Sequence, residues 1–171
     1  LASTVRFATN HVPATRLLAN DCETMAPSDK PVDISVVIPC RNGAATIGAQ
    51  ILLEPLSAIP DYPLRLADDA LAVSDAVRRE HRMDNVTLLA DLYHLSTNGD
   101  DLDHVLSRHT GRIGHVQIAD APGRGEPGTG TMDFARHLDT LDEAGYPRWI
   151  SLEYRQTLAD PFAWLGSFTN G

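Results

Sequence analysis

Lysine is nearly absent: the 171-residue chain carries one, Lys30, beside 13 arginines. The arginines gather in no basic patch, and we read the bias as a trace of codon usage. Cysteine is scarce as well. Cys22 and Cys40 alone exclude a disulfide scaffold and read as two small, partly buried thiols. No apolar run approaches the ~20 residues that span a bilayer. No charged-then-apolar leader opens the sequence, so a cytoplasmic protein is expected. Positive charge is in deficit, with 14 Lys+Arg against 23 Asp+Glu and a formal net charge of −9. That balance argues against nucleic acid or an anionic membrane as the main partner. What is present is a 43% hydrophobic share, enough to bury a core and to set wholesale disorder aside. The length suits one domain or slightly more.

The charge is unevenly placed. Residues 1–50 balance Arg6, Arg16, Lys30 and Arg41 against Asp21, Glu23, Asp29 and Asp33, so the whole excess lies in 51–171. Such a step can mark a boundary between segments of different origin. It predicts two units: an atypical N-terminal segment, 1–50, and a regular C-terminal unit, 51–171.

Within 1–33 the periodicity is weak, and the segment reads as loop, or as a short helix around Val12–Ala19. Residues 34–39 are a β-branched run closed by proline and by Arg41-Asn42-Gly43, which predicts a buried strand entering a loop. A helix could start at Ala44–Gln50.

From residue 51 apolar strands alternate with helical patterns. Ile51–Pro55, Val86–Ala90, His115–Ile118 and Trp149–Leu152 read as strands. Leu66, Ala70, Val73 and Val77 recur at helical spacing, as do Leu102, Val105 and Leu106 after the Asn98-Gly99 turn. Phe134, Leu138 and Leu141 mark a further helix after the Gly/Pro loop Pro122–Gly130. Pro161 can open a last short helix. This alternation predicts an α/β fold with parallel strands and helical crossovers.

Each strand places a polar group at or near its C-terminal end: Glu54, Asp91, Gln117 and Glu153. They stand 37, 26 and 36 residues apart, each compatible with one βα unit. The C-terminal strand ends are the functional face of parallel α/β architectures. Three carboxylates gathered there without a cation would repel one another and raise each other's pKa. A divalent ion removes the conflict. An all-oxygen set without cysteine suits Mg²⁺ or Mn²⁺ better than structural zinc. A single acidic strand end is more often a helix cap or a surface charge; four in sequence are harder to dismiss.

These stretches carry a family resemblance. Leu53-Glu54-Pro55-Leu56, Leu89-Ala90-Asp91-Leu92-Tyr93-His94, Gly114–Asp120, Pro122–Gly130 and Leu152-Glu153-Tyr154 resemble the C-terminal half of hydroxypyruvate isomerase, a xylose-isomerase-like TIM barrel. The resemblance covers residues 51–165. It implies that Glu54, Asp91, Gln117 and Glu153 bind the metal, and that Glu54 and Glu153 are also the catalytic pair. Gln117 favours this branch, because sugar epimerases of the superfamily place histidine there. The implied reaction interconverts hydroxypyruvate and tartronate semialdehyde, or acts on a similar short hydroxy-oxo acid, through an enediolate. His94 would hydrogen-bond a substrate oxygen, against the alternative of a tautomer-locked structural histidine. Arg124 would hold the substrate carboxylate, against a solvated loop charge. Glu126 would orient that loop or the substrate. His115 is expected just ahead of its strand, and His11, His81, His104, His109 and His137 on surfaces.

Residues 31–49 resemble instead the opening strand and loop of a family 2 glycosyltransferase. No convincing Asp-x-Asp metal motif follows, since Asp101-Leu102-Asp103 falls inside a helical pattern. A full barrel needs ~200–250 residues, and about 120 of these 171 belong to one. The expectation is therefore a partial (β/α)₈ barrel of about four C-terminal βα units. Its open edges call for a second copy, a partner chain or the 34–39 strand. An inactive remnant that keeps metal or partner binding is the alternative to an isomerase, with a glycosyltransferase fragment behind both.

Overall fold

Every apolar run from residue 51 onward folds as a strand in the computed structural model, which describes residues 7–9 and 50–167. A three-residue strand, β1 (Phe7–Thr9), is followed by β2 (Ile51–Leu53), β3 (Val86–Asp91), β4 (Ile113–Ile118) and β5 (Ile150–Leu152). Between them run α1 (Ala67–His81), α2 (Leu92–Asn98), α3 (Leu102–Arg108) and α4 (Phe134–Glu143). Short 3₁₀ turns occupy Thr110–Arg112 and Ala163–Ser167. The sheet order is β1-β5-β4-β3-β2, with every neighbouring pair parallel. No helix among the described residues is long and apolar enough to cross a membrane.

The strands alternate as a sheet with helices on one face requires. Leu53, Val86, Leu88, Ala90, Ile113, Val116, Ile118 and Ile150 share a buried cluster with Ala70 and Leu71 of α1, Leu95 of α2, Leu106 of α3, and Leu138 and Leu141 of α4. The other face carries Leu52, Thr87, Leu89 and His115, and it is only half covered. Leu52 there is 37% exposed. The β3–β4 register shifts between Leu88 and Leu89. Gly114 sits at the shift, where a Cβ would come within 2.2 Å of Thr87 Oγ1 and 2.5 Å of Leu52 Cδ2.

The helix ends follow local chemistry. Asp69 in the first turn of α1 accepts from the N–H groups of Arg65 and Leu66, while Asp100 takes the N–H of Ala67. Asp101 and Asp133 cap α3 and α4 through the N–H groups of His104 and Arg136, as short acceptors at N-caps do. α1 ends on Arg82 in the left-handed region, at φ 54°.

Several expectations are corrected. Phe7–Thr9 is a strand beside β5, so the edge of β5 is covered from the far N-terminus. The strand expected at 34–39, and the helices at Val12–Ala19 and Ala44–Gln50, fall on residues outside those described. Leu66 is not on the buried stripe of α1; it precedes the helix and is exposed, and Ala67, Ala70, Leu71 and Ser74 face inward. His115 lies inside β4 rather than before it. His137 is half-buried between α3 and α4, 3.5 Å from Asp103. Helix α2 has no counterpart in the sequence reading.

Candidate active site

Strand geometry gathers the four strand-end groups. Asp91 pairs in register with Gln117, and Gln117 with Ser151. Side chains alternate along a strand, so Glu153, two residues past Ser151, shares their face. Leu52 pairs with Thr87, which puts Glu54 on that face too. All four lie where the parallel strands end, as the sequence expects.

The gathering is electrostatically costly. Asp91 is fully buried, and Gln117 is 9% exposed. Burial and the neighbouring Asp91 and Glu153 charges push Glu54 up to about 7, opposed only by Arg124. Burial raises Asp91 as well, against the N–H of His94 and the charge of Arg124. Burial and the Asp91 carboxylate raise Glu153. Asp91 Oδ1 is spent on α2, where it accepts from the N–H groups of Tyr93 at 2.9 Å and His94 at 3.3 Å. Three oxygens remain buried with no hydrogen-bond partner: Asp91 Oδ2, Gln117 Oε1 and Glu153 Oε2. A buried acceptor without a donor costs about 1–3 kcal/mol. Three from three adjacent strands, with the Glu54 carboxylate alongside, fit a hard cation, which would satisfy the acceptors and offset the repulsion.

The ligand-bearing atoms of Glu54, Asp91 and His94 lie within 4.8 Å of one another, yet the hydrogen bonds of His94 make it a donor. Its Nδ1 accepts from the backbone N–H of Ser57 at 3.0 Å and meets the Ser57 hydroxyl at 2.7 Å. A ring nitrogen that accepts an N–H carries no proton, so the neutral ring has its hydrogen on Nε2. Burial, then the Arg124 charge, lowers the His94 pKa and keeps the ring neutral. Nε2 therefore has no lone pair for a metal. It points a hydrogen toward the site, 3.8 Å from Asp91 Oδ2. The oxygen set expected from the sequence remains the better donor set. Of the two readings of His94, both features are present: its tautomer is fixed, and it faces the site.

Arg124 enters from the loop after β4. Its Nη2 lies 3.6 Å from Asp91 Oδ2 and 3.4 Å from Glu153 Oε1. Its guanidinium sits over the ring of Tyr93, 5.2 Å from the centroid. The loop is held by two buried carboxylates. Asp120 accepts from the N–H groups of Gly128, Gly130 and Met132, and its own N–H donates to Gly125. Glu126 accepts from the N–H and hydroxyl of Thr157 and from the N–H of Leu158. Burial alone would raise Glu126; these bonds pull it down to about 2. These bonds tie Glu126 to the Thr157–Leu158 segment and so to the loop that carries Arg124. Its oxygens are fully buried and taken.

Ser57, Tyr93 and Asp120 were missed in the sequence. Ser57 and Tyr93 act across the fold on residues of another element, and no spacing announces that. Asp120 could have been found: an acid directly before a Gly/Pro loop is a natural acceptor for turn N–H groups.

Comparison with known proteins agrees with this geometry. The xylose isomerase-like TIM barrel family matches residues 41–167. A Streptomyces coelicolor protein named "Putative hydroxypyruvate isomerase" is 41% identical over 155 residues, 87% of this chain and 56% of that one. The hydroxypyruvate isomerase of Escherichia coli is 32% identical over 61% of this chain and 40% of its own length. The 2-oxo-tetronate isomerase of Cupriavidus necator is 34% identical over 67% and 43%. Among solved structures, an AP endonuclease family 2 protein from Brucella melitensis superposes with a TM-score of 0.65 at 29% identity, covering 72% of this chain and 48% of that one. The chain spans about half the length of the curated relatives it matches. The chain belongs to the xylose isomerase-like TIM-barrel family.

Proposed function

We propose that this chain is a metal-dependent isomerase that interconverts hydroxypyruvate and tartronate semialdehyde, or a similar short 2-oxo acid. The observation that carries the proposal is the set of unpartnered buried oxygens on Asp91, Gln117 and Glu153 beside Glu54. Names of relatives that act on hydroxypyruvate and 2-oxo-tetronate support the substrate class. Glu54, Asp91, Gln117 and Glu153 would hold Mg²⁺ or Mn²⁺, which when bound supplies positive charge to an enediolate.

The remaining chemistry belongs to side chains. One of Glu54 and Glu153 takes a proton from the hydroxymethyl carbon of hydroxypyruvate, and the electron pair forms the enediolate. The other returns a proton to the neighbouring carbon, and the hydroxyl proton passes between the two oxygens. Atoms and electrons balance without a redox partner. His94 Nε2–H donates to a substrate oxygen. Arg124 faces the substrate carboxylate.

The half-covered sheet face around Leu52 supports a second proposal, that a further chain or copy packs there. Light scattering tests it, and a monomer at working concentration overturns it. The division at residue 50 remains part of this proposal, and the glycosyltransferase-like stretch 31–49 falls outside the described residues; nucleotide-sugar binding by calorimetry tests the latter, and none is expected.

The deciding experiment gives the full chain Mn²⁺ or Mg²⁺ and follows hydroxypyruvate by NMR. Turnover is expected, with loss in Glu153→Gln. No turnover with either metal, together with unchanged metal affinity in that variant, overturns the proposal.

A further inference from the structure

We propose that Tyr93 is the positioning residue that sets a preference for substrates bearing a carboxylate, by holding Arg124 over its ring beside the site. The inference rests on the proposed isomerase reading and goes beyond it by naming what makes Arg124 selective.

The backbone of Arg124 is fixed. It sits in the left-handed region at φ 56°, and its carbonyl accepts from the Arg155 N–H at 2.7 Å. Its side chain is another matter. A long arginine side chain loses rotamer freedom when it is ordered, so something must hold it. The two nearby carboxylates, at 3.6 and 3.4 Å, are ion pairs longer than a good charge-assisted hydrogen bond. Among the described residues none of the guanidinium N–H groups makes a hydrogen bond. The guanidinium does lie over the Tyr93 ring, with Cζ 5.2 Å from the ring centroid.

A cation–π contact of this kind holds the guanidinium without using any of its N–H donors. That leaves a planar fork of unspent donors beside Asp91 and Glu153, matched to a planar carboxylate. Without the ring, the charges of Asp91 and Glu153 would draw Arg124 down onto them and spend its donors there. The same ring meets His94 edge-on, with centroids 5.3 Å apart and planes at 70°. One aromatic thus touches both proposed substrate-binding side chains. Its backbone N–H, bonded to Asp91 Oδ1 at 2.9 Å, is untouched by a change of side chain.

The test compares Tyr93→Phe, which keeps the ring, with Tyr93→Leu, which keeps bulk without the π face. Parent and variants, loaded with Mn²⁺ and checked for equal thermal melting, are assayed on hydroxypyruvate and on dihydroxyacetone, which lacks a carboxylate. Binding of D-glycerate, an unreactive carboxylate probe, is measured by calorimetry. Tyr93→Leu is expected to raise the KM for hydroxypyruvate and the Kd for glycerate about five- to tenfold. The loss on dihydroxyacetone, which has no carboxylate for Arg124, should be smaller by about fivefold. Tyr93→Phe should match the parent. Unchanged glycerate affinity in Tyr93→Leu, an equal loss in Tyr93→Phe, or an equal loss on dihydroxyacetone overturns the proposal. If the parent turns over no substrate, the isomerase reading fails by itself, and the glycerate arms still decide the role of Tyr93.

Discussion

Ser57 places two donors on one ring nitrogen of His94, its backbone N–H at 3.0 Å and its hydroxyl at 2.7 Å from Nδ1. A residue four positions past the end of β2 thereby decides which nitrogen of a second element carries the proton. Long-range ¹H–¹⁵N spectra of labelled protein at pH 7 should show His94 protonated on Nε2 and bare on Nδ1; the reverse would sink the assignment. Ser57→Ala keeps the backbone donor and removes the hydroxyl, so the tautomer survives while the ring loosens. A fall of about fivefold in kcat/KM is expected, the order of one net hydrogen bond, with Ser57→Thr close to the parent.

Asp91 serves two purposes that one substitution separates. Its Oδ1 caps α2, and its Oδ2 is unpartnered. Asn caps a helix about as well as Asp but brings no charge. Asp91→Asn should therefore melt near the parent temperature and bind Mn²⁺ at least about tenfold more weakly by calorimetry. Asp91→Ala should lose metal affinity and also about 1 kcal/mol of stability. If Asp91→Asn binds Mn²⁺ as the parent does, Asp91 is not a ligand.

Glu126 gives a pH dependence of stability. Its pKa falls from 4.5 to about 2 on folding. A group whose folded pKa is depressed stabilises fully above its unfolded pKa, and that share is lost as pH falls through the folded value. The parent should lose stability between about pH 4.5 and pH 2 more steeply than Glu126→Gln, as read from urea midpoints across that window. Parallel pH profiles for the two proteins would contradict the bonding described.

Gly130 has no room for a methyl group. A Cβ there would lie 2.1 Å from the Ala121 carbonyl oxygen and 2.6 Å from Asp120 Oδ1. Gly130→Ala should cost roughly 1–3 kcal/mol, the range for overpacking, and should raise the KM for the 2-oxo acid because the displaced loop carries Arg124. Calorimetric melting and steady-state kinetics check both arms.

The sheet was legible in the sequence because its strands are buried on the helix side and read as continuous apolar runs with clear ends. Glu54, Asp91, Gln117 and Glu153 stood out because they interrupt those runs at one depth. What stayed hidden depends on contacts between distant residues. Phe7–Thr9 is too short to announce itself and becomes a strand only because β5 offers an edge. Helix α2 starts directly from Asp91, so one residue ends a strand and caps a helix with no turn between them. The partners of Glu126, Thr157 and Leu158, lie 31 and 32 residues on, and no local spacing announces them.

The pairing of Phe7 with Ile150 has a consequence for the order of folding. β2, β3 and β4 join neighbours separated by a single crossover and can assemble as the chain emerges. β1 has no place to dock until β5 exists, almost a full chain length later. Contacts of such long sequence separation form late and slow the approach to the native state. We therefore expect β1 to be the last strand added and the first released, so that amide exchange near residues 7–9 runs ahead of exchange in β3 and β4.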